Sequence, residues 1–91
     1  MVTRQIIQST RFRKDYKRVS KRGLDLKKLE VILELLLDSS PLPERCKPHK
    51  LIGEYSGFWE CHIEPDWLLI YGVSDEYLEL AAMGSHSDLF R

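Results

Sequence analysis

At 91 residues the chain has room for one domain with one modest core, and its 14 basic side chains are balanced by 14 acidic ones. Two cysteines are too few for a disulfide framework and are expected as free thiols, Cys46 in a polar loop and Cys61 on a core-facing strand position. No apolar stretch approaches the ~20 residues of a membrane span and the first residues lack a signal-peptide apolar region, so a cytoplasmic location without membrane contact is expected.

The first strand is expected over Val2 to Gln8, where Val2, Ile6 and Ile7 alternate loosely with polar residues. Ser9 and Thr10 suit a helix N-cap. From Arg11 to Arg22, Phe12, Tyr16 and Val19 follow one another at spacings of four and three, one apolar stripe on a helix otherwise covered by Arg11, Arg13, Lys14, Lys17, Arg18, Lys21 and Arg22. Gly23 ends it. Asp25 caps a second helix to about Leu37 with a wider apolar face (Leu26, Leu29, Val31, Ile32, Leu35, Leu36, Leu37), expected to be the more buried of the two and to form an antiparallel hairpin with the first. Pro41 and Pro43 forbid its continuation.

A loop over residues 38–48 then delivers His49. Three strands are expected after it, Phe58 to Glu64, Trp67 to Val73 and Tyr77 to Gly84, with turns at Glu64-Pro65-Asp66 and Ser74-Asp75-Glu76. Alternation places Trp59, Cys61 and Ile63 on the core face of the first of these, and Glu60, His62 and Glu64 on the other. His62 and Asp66 then face one another across a hairpin. The last residues, Ser85 to Arg91, allow a single helical turn. The order β-α-α-β-β-β indicates an α+β domain spanning 1–91, an antiparallel sheet with an N-terminal helical hairpin on one face and the other face free to bind.

Charge is uneven along the chain: residues 1–50 hold 13 Lys and Arg against 6 Asp and Glu, and residues 51–91 hold 1 against 8. The basic half is a candidate surface for phosphates, the plain alternative being helices with solvated cations on their wet faces. The chemistry-bearing residues are three histidines, His49, His62 and His86, whose ordinary pKa of ~6.5 lets an imidazole give or take a proton near neutrality. Three ordinary surface histidines are the simplest alternative. A zinc site would have enough ligands but lacks any local ligand spacing, and Cys61 faces the apolar side, where a thiol resists ionisation. Neither metal nor cofactor is expected. Metal-free acid and base catalysis fits a His, His, His and Asp cluster: cleaving RNA through its own 2′-hydroxyl needs a base, cationic donors for the phosphorane and an acid for the leaving 5′-oxygen. Lys47, Lys50 and Arg91 lie close in sequence to two of these histidines and could hold phosphate oxygens.

Three segments then carry a resemblance: Pro48-His49-Lys50-Leu51 with Gly53, Glu60-Cys61-His62-Ile63-Glu64-Pro65-Asp66-Trp67-Leu68-Leu69-Ile70-Tyr71, and Gly84-Ser85-His86-Ser87-Asp88-Leu89-Phe90. With the strand and two helices before them, they make the whole chain similar to the YafQ group of the RelE/ParE superfamily, ribosome-dependent mRNA interferases of bacterial type II toxin-antitoxin systems. The resemblance implies a RelE-like microbial RNase fold and an active site at His49, His62, Asp66 and His86 around the scissile phosphate of mRNA in the 30S A site. It implies Phe90 as a terminal aromatic near the substrate. Within that site His86, on a terminal segment that can reach the leaving oxygen, is expected as general acid, with Asp66 or His49 as base and His62 as a group that orients or stabilises charge. Lys47, Lys50, Glu60, Trp67 and Arg91 are further substrate-binding candidates. Glu60 stands where the pattern often has Asp. Trp67 has a core role as its alternative, and Pro65 sets the spacing between His62 and Asp66.

The implied partners are mRNA, the ribosome and a small cognate antitoxin that itself binds operator DNA. Arg11, Arg13, Lys14, Lys17, Arg18 and Lys21 would face ribosomal RNA or the antitoxin. Two readings compete with a ribosome-dependent nuclease: a ParE-like toxin that acts by binding alone, and an inactive antitoxin-binding or co-repressor module.

Overall fold

A computed structural model describes residues 4–90. Val2 and Thr3 of the expected first strand, and Arg91, lie outside the described residues. The elements run β1 (Gln5–Gln8), α1 (Thr10–Lys21), α2 (Leu26–Leu37), β2 (His49–Lys50), β3 (Trp59–Glu64), β4 (Trp67–Val73), β5 (Tyr77–Gly84) and α3 (His86–Leu89), with turns of 3-10 helix at Glu44–Cys46 and Gly53–Tyr55.

Local chemistry sets the helix starts. Ser9 Oγ accepts from the Phe12 amide at 2.9 Å, and Asp25 Oδ1 from the Lys27 amide at 3.0 Å, so each cap satisfies one N–H that the first helical turn leaves open. Gly23 takes φ +77°, the left-handed backbone that glycine adopts without strain where α1 stops. The sheet order is β1-β5-β4-β3-β2. Pairing is antiparallel through β3, β4 and β5, as expected; His49–Lys50 adds a short edge strand that the expected element order did not include, antiparallel to β3, and β1 joins β5 in parallel, making the sheet mixed.

Side chains divide by strand parity into two cores. Trp67, Leu69 and Tyr71 of β4 pack with Phe12 and Val19 of α1 and with Leu29, Ile32 and Leu36 of α2. Leu68 and Ile70 point the other way, against Ala82 and Leu89, with Leu51, Tyr55 and Phe58 partly buried beside them. The second sheet face is therefore not free. α3 and the segment 51–58 cover part of it, and the site occupies what remains beside them.

Three local expectations change for physical reasons. Tyr16 is 41% exposed, and Asp15 is buried in its place on α1 because the Met83 amide donates to it at 2.9 Å and Arg18 pairs with it at 2.9 Å. Cys46 is not in a wet loop: the 3-10 turn folds it into the core, where burial raises its thiol pKa. α2 is the more buried helix, as expected: each helix buries three side chains, but Leu26, Leu33, Leu35 and Leu37 of α2 are also partly buried where α1 adds Arg18 alone, although Val31 stays half-exposed. A register shift between His62 and Glu64 moves Glu64 out of the expected row with Glu60 and His62, and its carboxylate pairs instead with Lys28 of α2 at 2.8 Å.

Candidate active site

His62 and Asp66 flank the β3–β4 turn. His62 stands opposite Leu68 in the ladder, so it projects on the sheet face away from α1 and α2. Its Nδ1 lies 3.2 Å from the Pro65 carbonyl oxygen. A carbonyl only accepts, so Nδ1 carries a proton, and in the neutral ring this leaves the lone pair on Nε2. Pro65 thus does more than end the strand: its carbonyl sets the ring orientation of His62.

His86 opens α3, directly after β5. The turn is fixed by a capping box in which Ser85 Oγ accepts from the Asp88 amide at 3.2 Å and Asp88 Oδ2 accepts from the Ser85 amide at 2.9 Å. Asp66 Oδ1 then takes two bonds from His86, one from the backbone N–H at 3.0 Å and one from Nδ1 at 2.9 Å. These bonds, the backbone one first, hold the Asp66 carboxyl below the usual Asp range. The His62 and His86 rings lie 5.8 Å apart between centroids, and His86 stacks obliquely toward Phe90 at 6.5 Å. Tyr55 meets Phe90 edge-on at 6.4 Å.

His49 arrives on β2, opposite Glu60 of β3. Its Nδ1 lies 3.0 Å from the Lys47 carbonyl and its Nε2 3.3 Å from Glu60 Oε1. Both ring nitrogens therefore face oxygen acceptors, which fixes the orientation of the ring beside Glu60. The same Glu60 oxygen stands 4.0 Å from His62 Nε2, too far for a hydrogen bond. Glu60 is 5% exposed. Its carboxylate therefore sits beneath two histidines rather than against a bound substrate.

Residues 4–91 match the family described as a bacterial toxin of type II toxin-antitoxin system, YafQ. The chain is also 40% identical over 91 residues, 99% of each, to the mRNA interferase toxin YafQ of Escherichia coli. The chain belongs to the YafQ family. Among solved structures, YafQ in the E. coli DinJ-YafQ toxin-antitoxin complex is 38% identical, with TM-score 0.90 over 99% of this chain and 100% of that one. A metal-bound toxin from Helicobacter pylori is 41% identical, with TM-score 0.88 over 99% and 100% of the two chains. Among the described residues of this YafQ-family chain, no group of three or more His, Cys, Asp or Glu side chains is disposed to hold a metal ion.

The residues expected of a YafQ-type site separate into three groups. His62, Asp66 and His86 come together directly, and His49 joins through Glu60. Phe90 stays beside His86, and Lys50 lies over the Trp59 ring with Nζ 5.8 Å from its centroid. Trp67 is the correction: at 2% exposure it packs in the helix-side core and cannot touch substrate. Cys61 is equally remote, its thiol pushed up to about 12 chiefly by burial.

The basic stripe of α1 also splits. Arg11 donates to the Tyr55 hydroxyl at 2.9 Å and to the Asp88 carbonyl at 3.0 Å. Arg18 is tied to Asp15, the Met83 carbonyl and Asp88, and Arg22 pairs with Asp88 at 2.9 Å. These three hold α3 and its neighbours in place. Arg13, Lys14, Lys17 and Lys21 make no ion pair among the described residues and remain the exposed part of the stripe. Asp88 and Tyr55 are supports that the sequence reading missed. The spacing Ser85-x-x-Asp88 was the available signal for Asp88, and nothing local marks Tyr55.

Proposed function

We propose that this chain is an endoribonuclease, an mRNA interferase that cuts messages in the ribosomal A site and is neutralised by a cognate antitoxin. The observation that carries the reading is the His62–His86 pair. Their rings face one shared space, and each Nδ1 is committed to an oxygen acceptor, which leaves two Nε2 atoms to move protons. Family membership and the E. coli relative named as an mRNA interferase supply the substrate class.

In this mechanism His62 Nε2 takes the proton of the attacking 2′-hydroxyl as the new 2′-O–P bond forms. Protonated His86 Nε2 gives its proton to the 5′-oxygen as the P–O5′ bond breaks. The products are a 2′,3′-cyclic phosphate and a free 5′-hydroxyl. His49, held beside Glu60, is placed to donate a hydrogen bond to the phosphorane oxygens as charge accumulates there. Asp66 is a positioning residue. It is a poor choice of base because His86 already occupies its oxygen and holds its carboxyl below the usual range. The partner is expected to be a small antitoxin, as DinJ is for YafQ in the E. coli complex, with any operator DNA reached only through it.

The test is to map cleavage ends on a translated message with and without ribosomes. Cuts that require ribosomes and fall in A-site codons support the reading. Growth arrest with intact messages would favour a toxin that acts by binding alone.

A further inference from the structure

A cavity of about 360 Å³ opens beside the catalytic cluster and shares His62 with it; its other walls include Lys28, Arg45, Lys47 and Glu64. We propose that Lys28, Arg45 and Lys47 form a subsite for the message phosphate adjoining the scissile one. The inference rests on the nuclease reading and adds a place for the strand next to the cut.

Charge comes first. Glu64 is the one carboxylate among the lining residues, and Lys28 neutralises it at 2.8 Å. Arg45 and Lys47 make no ion pair among the described residues, so the cavity keeps two positive charges in excess. A phosphodiester carries one negative charge per linkage, and cations on a single strand contact successive linkages as the strand crosses them.

Rigidity comes second. Arg45 and Lys47 flank Cys46, which is buried and pins their 3-10 turn to the core. Lys47 sits at φ +45°, a left-handed conformation unusual for a side chain larger than Asn. In that conformation the Lys47 side chain lines the cavity while its carbonyl accepts from His49 Nδ1. One residue therefore ties the subsite to a catalytic histidine. A strand whose scissile phosphate lies against His62 continues past that ring in both directions, and this cavity adjoins the ring on one of them. An acidic protein segment could meet the same cations, but it would have no reason to abut the ring that takes the 2′-hydroxyl proton.

The experiment uses the full chain with Lys28→Gln and Arg45→Gln combined. Both residues are exposed, and Lys47 is left intact because its carbonyl supports His49. Single-turnover cleavage is measured on ribosomes programmed with a synthetic message. Its linkages are all phosphate, or one linkage next to the scissile one is a neutral methylphosphonate. The variant should need about five- to tenfold more toxin for half-maximal cleavage, with its maximal rate unchanged within about twofold. Methylphosphonate on one side of the cut should impose at least the same shift on wild type and a clearly smaller one on the variant, where only Lys47 remains to meet that phosphate.

Wild-type concentration dependence in the variant would overturn the subsite. Losses that add in full when variant and methylphosphonate are combined would overturn it too, since the cations would then serve another phosphate such as one of ribosomal RNA. Weakened antitoxin binding with unaltered cleavage would make this a protein-binding face instead. If wild type leaves the message intact, the nuclease reading fails and the subsite with it.

Discussion

One oxygen of Asp66 takes both hydrogen bonds that His86 offers it, from the backbone at 3.0 Å and from Nδ1 at 2.9 Å. The first fixes where α3 begins and the second fixes which ring nitrogen is free. Asp66→Asn keeps the size of the side chain but loses its charge. The expected outcome is a fall in maximal cleavage rate of about 10²-fold, typical of losing an orienting partner or general acid. Its melting temperature should stay near wild type, because the Asp66 side chain is 70% exposed. The folded-state pKa of Asp66 is depressed, so its anchoring is complete above the ordinary Asp value of ~3.8 and fades as pH falls below it. From pH 5 to 8 the Asp66 carboxylate therefore stays ionised, and the wild-type anchoring of α3 should not change over that range.

Asp88 anchors the other side of the same helical turn. Arg22 first, and the Ser85 amide second, hold its carboxyl well below the usual range. A depressed folded pKa means that the stability Asp88 contributes is fully present above ~3.9 and is lost as pH falls through lower values. Asp88→Asn should lower stability by about 1 kcal/mol near neutrality, the usual scale for a cap. In thermal melts the gap from wild type should stay level between pH 5 and 7 and close below pH ~4. A gap that widened in acid would contradict the ion pair.

Gly84 is required by what crowds it. A Cβ there would lie 2.8 Å from Asp88 Oδ2 and 2.9 Å from Arg18 Nη2, inside contact distance of both. Gly84→Ala must push this cluster apart, at about 1–3 kcal/mol on the scale of overpacking. Because α3 follows immediately, cleavage per folded molecule should fall as well, and comparing active fraction with folded fraction checks this.

Trp67 offers a clean separation of packing from substrate contact. It is buried and its indole Nε1 has no hydrogen-bond partner, so Trp67→Phe gives up volume but no bond. Stability should drop by about 1–3 kcal/mol, with cleavage per folded molecule unchanged. Trp67→Ala should cost about 3–5 kcal/mol. A Phe variant that folds normally but fails to cut would return Trp67 to the substrate side.

Much of this was legible in the sequence wherever the signal was local. The caps at Ser9 and Asp25, the β3–β4 turn at Pro65 and the alternation that sets His62 against Cys61 all follow from neighbouring residues. The union of His49, His62, Asp66 and His86 came from resemblance, since their separations carry no spacing rule. What escaped was non-local. The parallel pairing of β1 with β5 joins strands from opposite ends of the chain. The burial of Asp15 has no local signal, because the Met83 amide that donates to it comes from the far end of the chain. The register shift after His62 breaks strict alternation, so Glu64 was assigned to the wrong face.

The most direct test of the proposed mechanism is single-turnover cleavage of a ribosome-bound message by His86→Ala, with product ends identified chemically. Wild type should yield 2′,3′-cyclic phosphate and 5′-hydroxyl ends. The variant, folded by circular dichroism, should be slower by at least about 10²-fold, the scale of a lost general acid. Cutting at the wild-type rate by His86→Ala, or wild-type products ending in 3′-hydroxyl and 5′-phosphate, would contradict it.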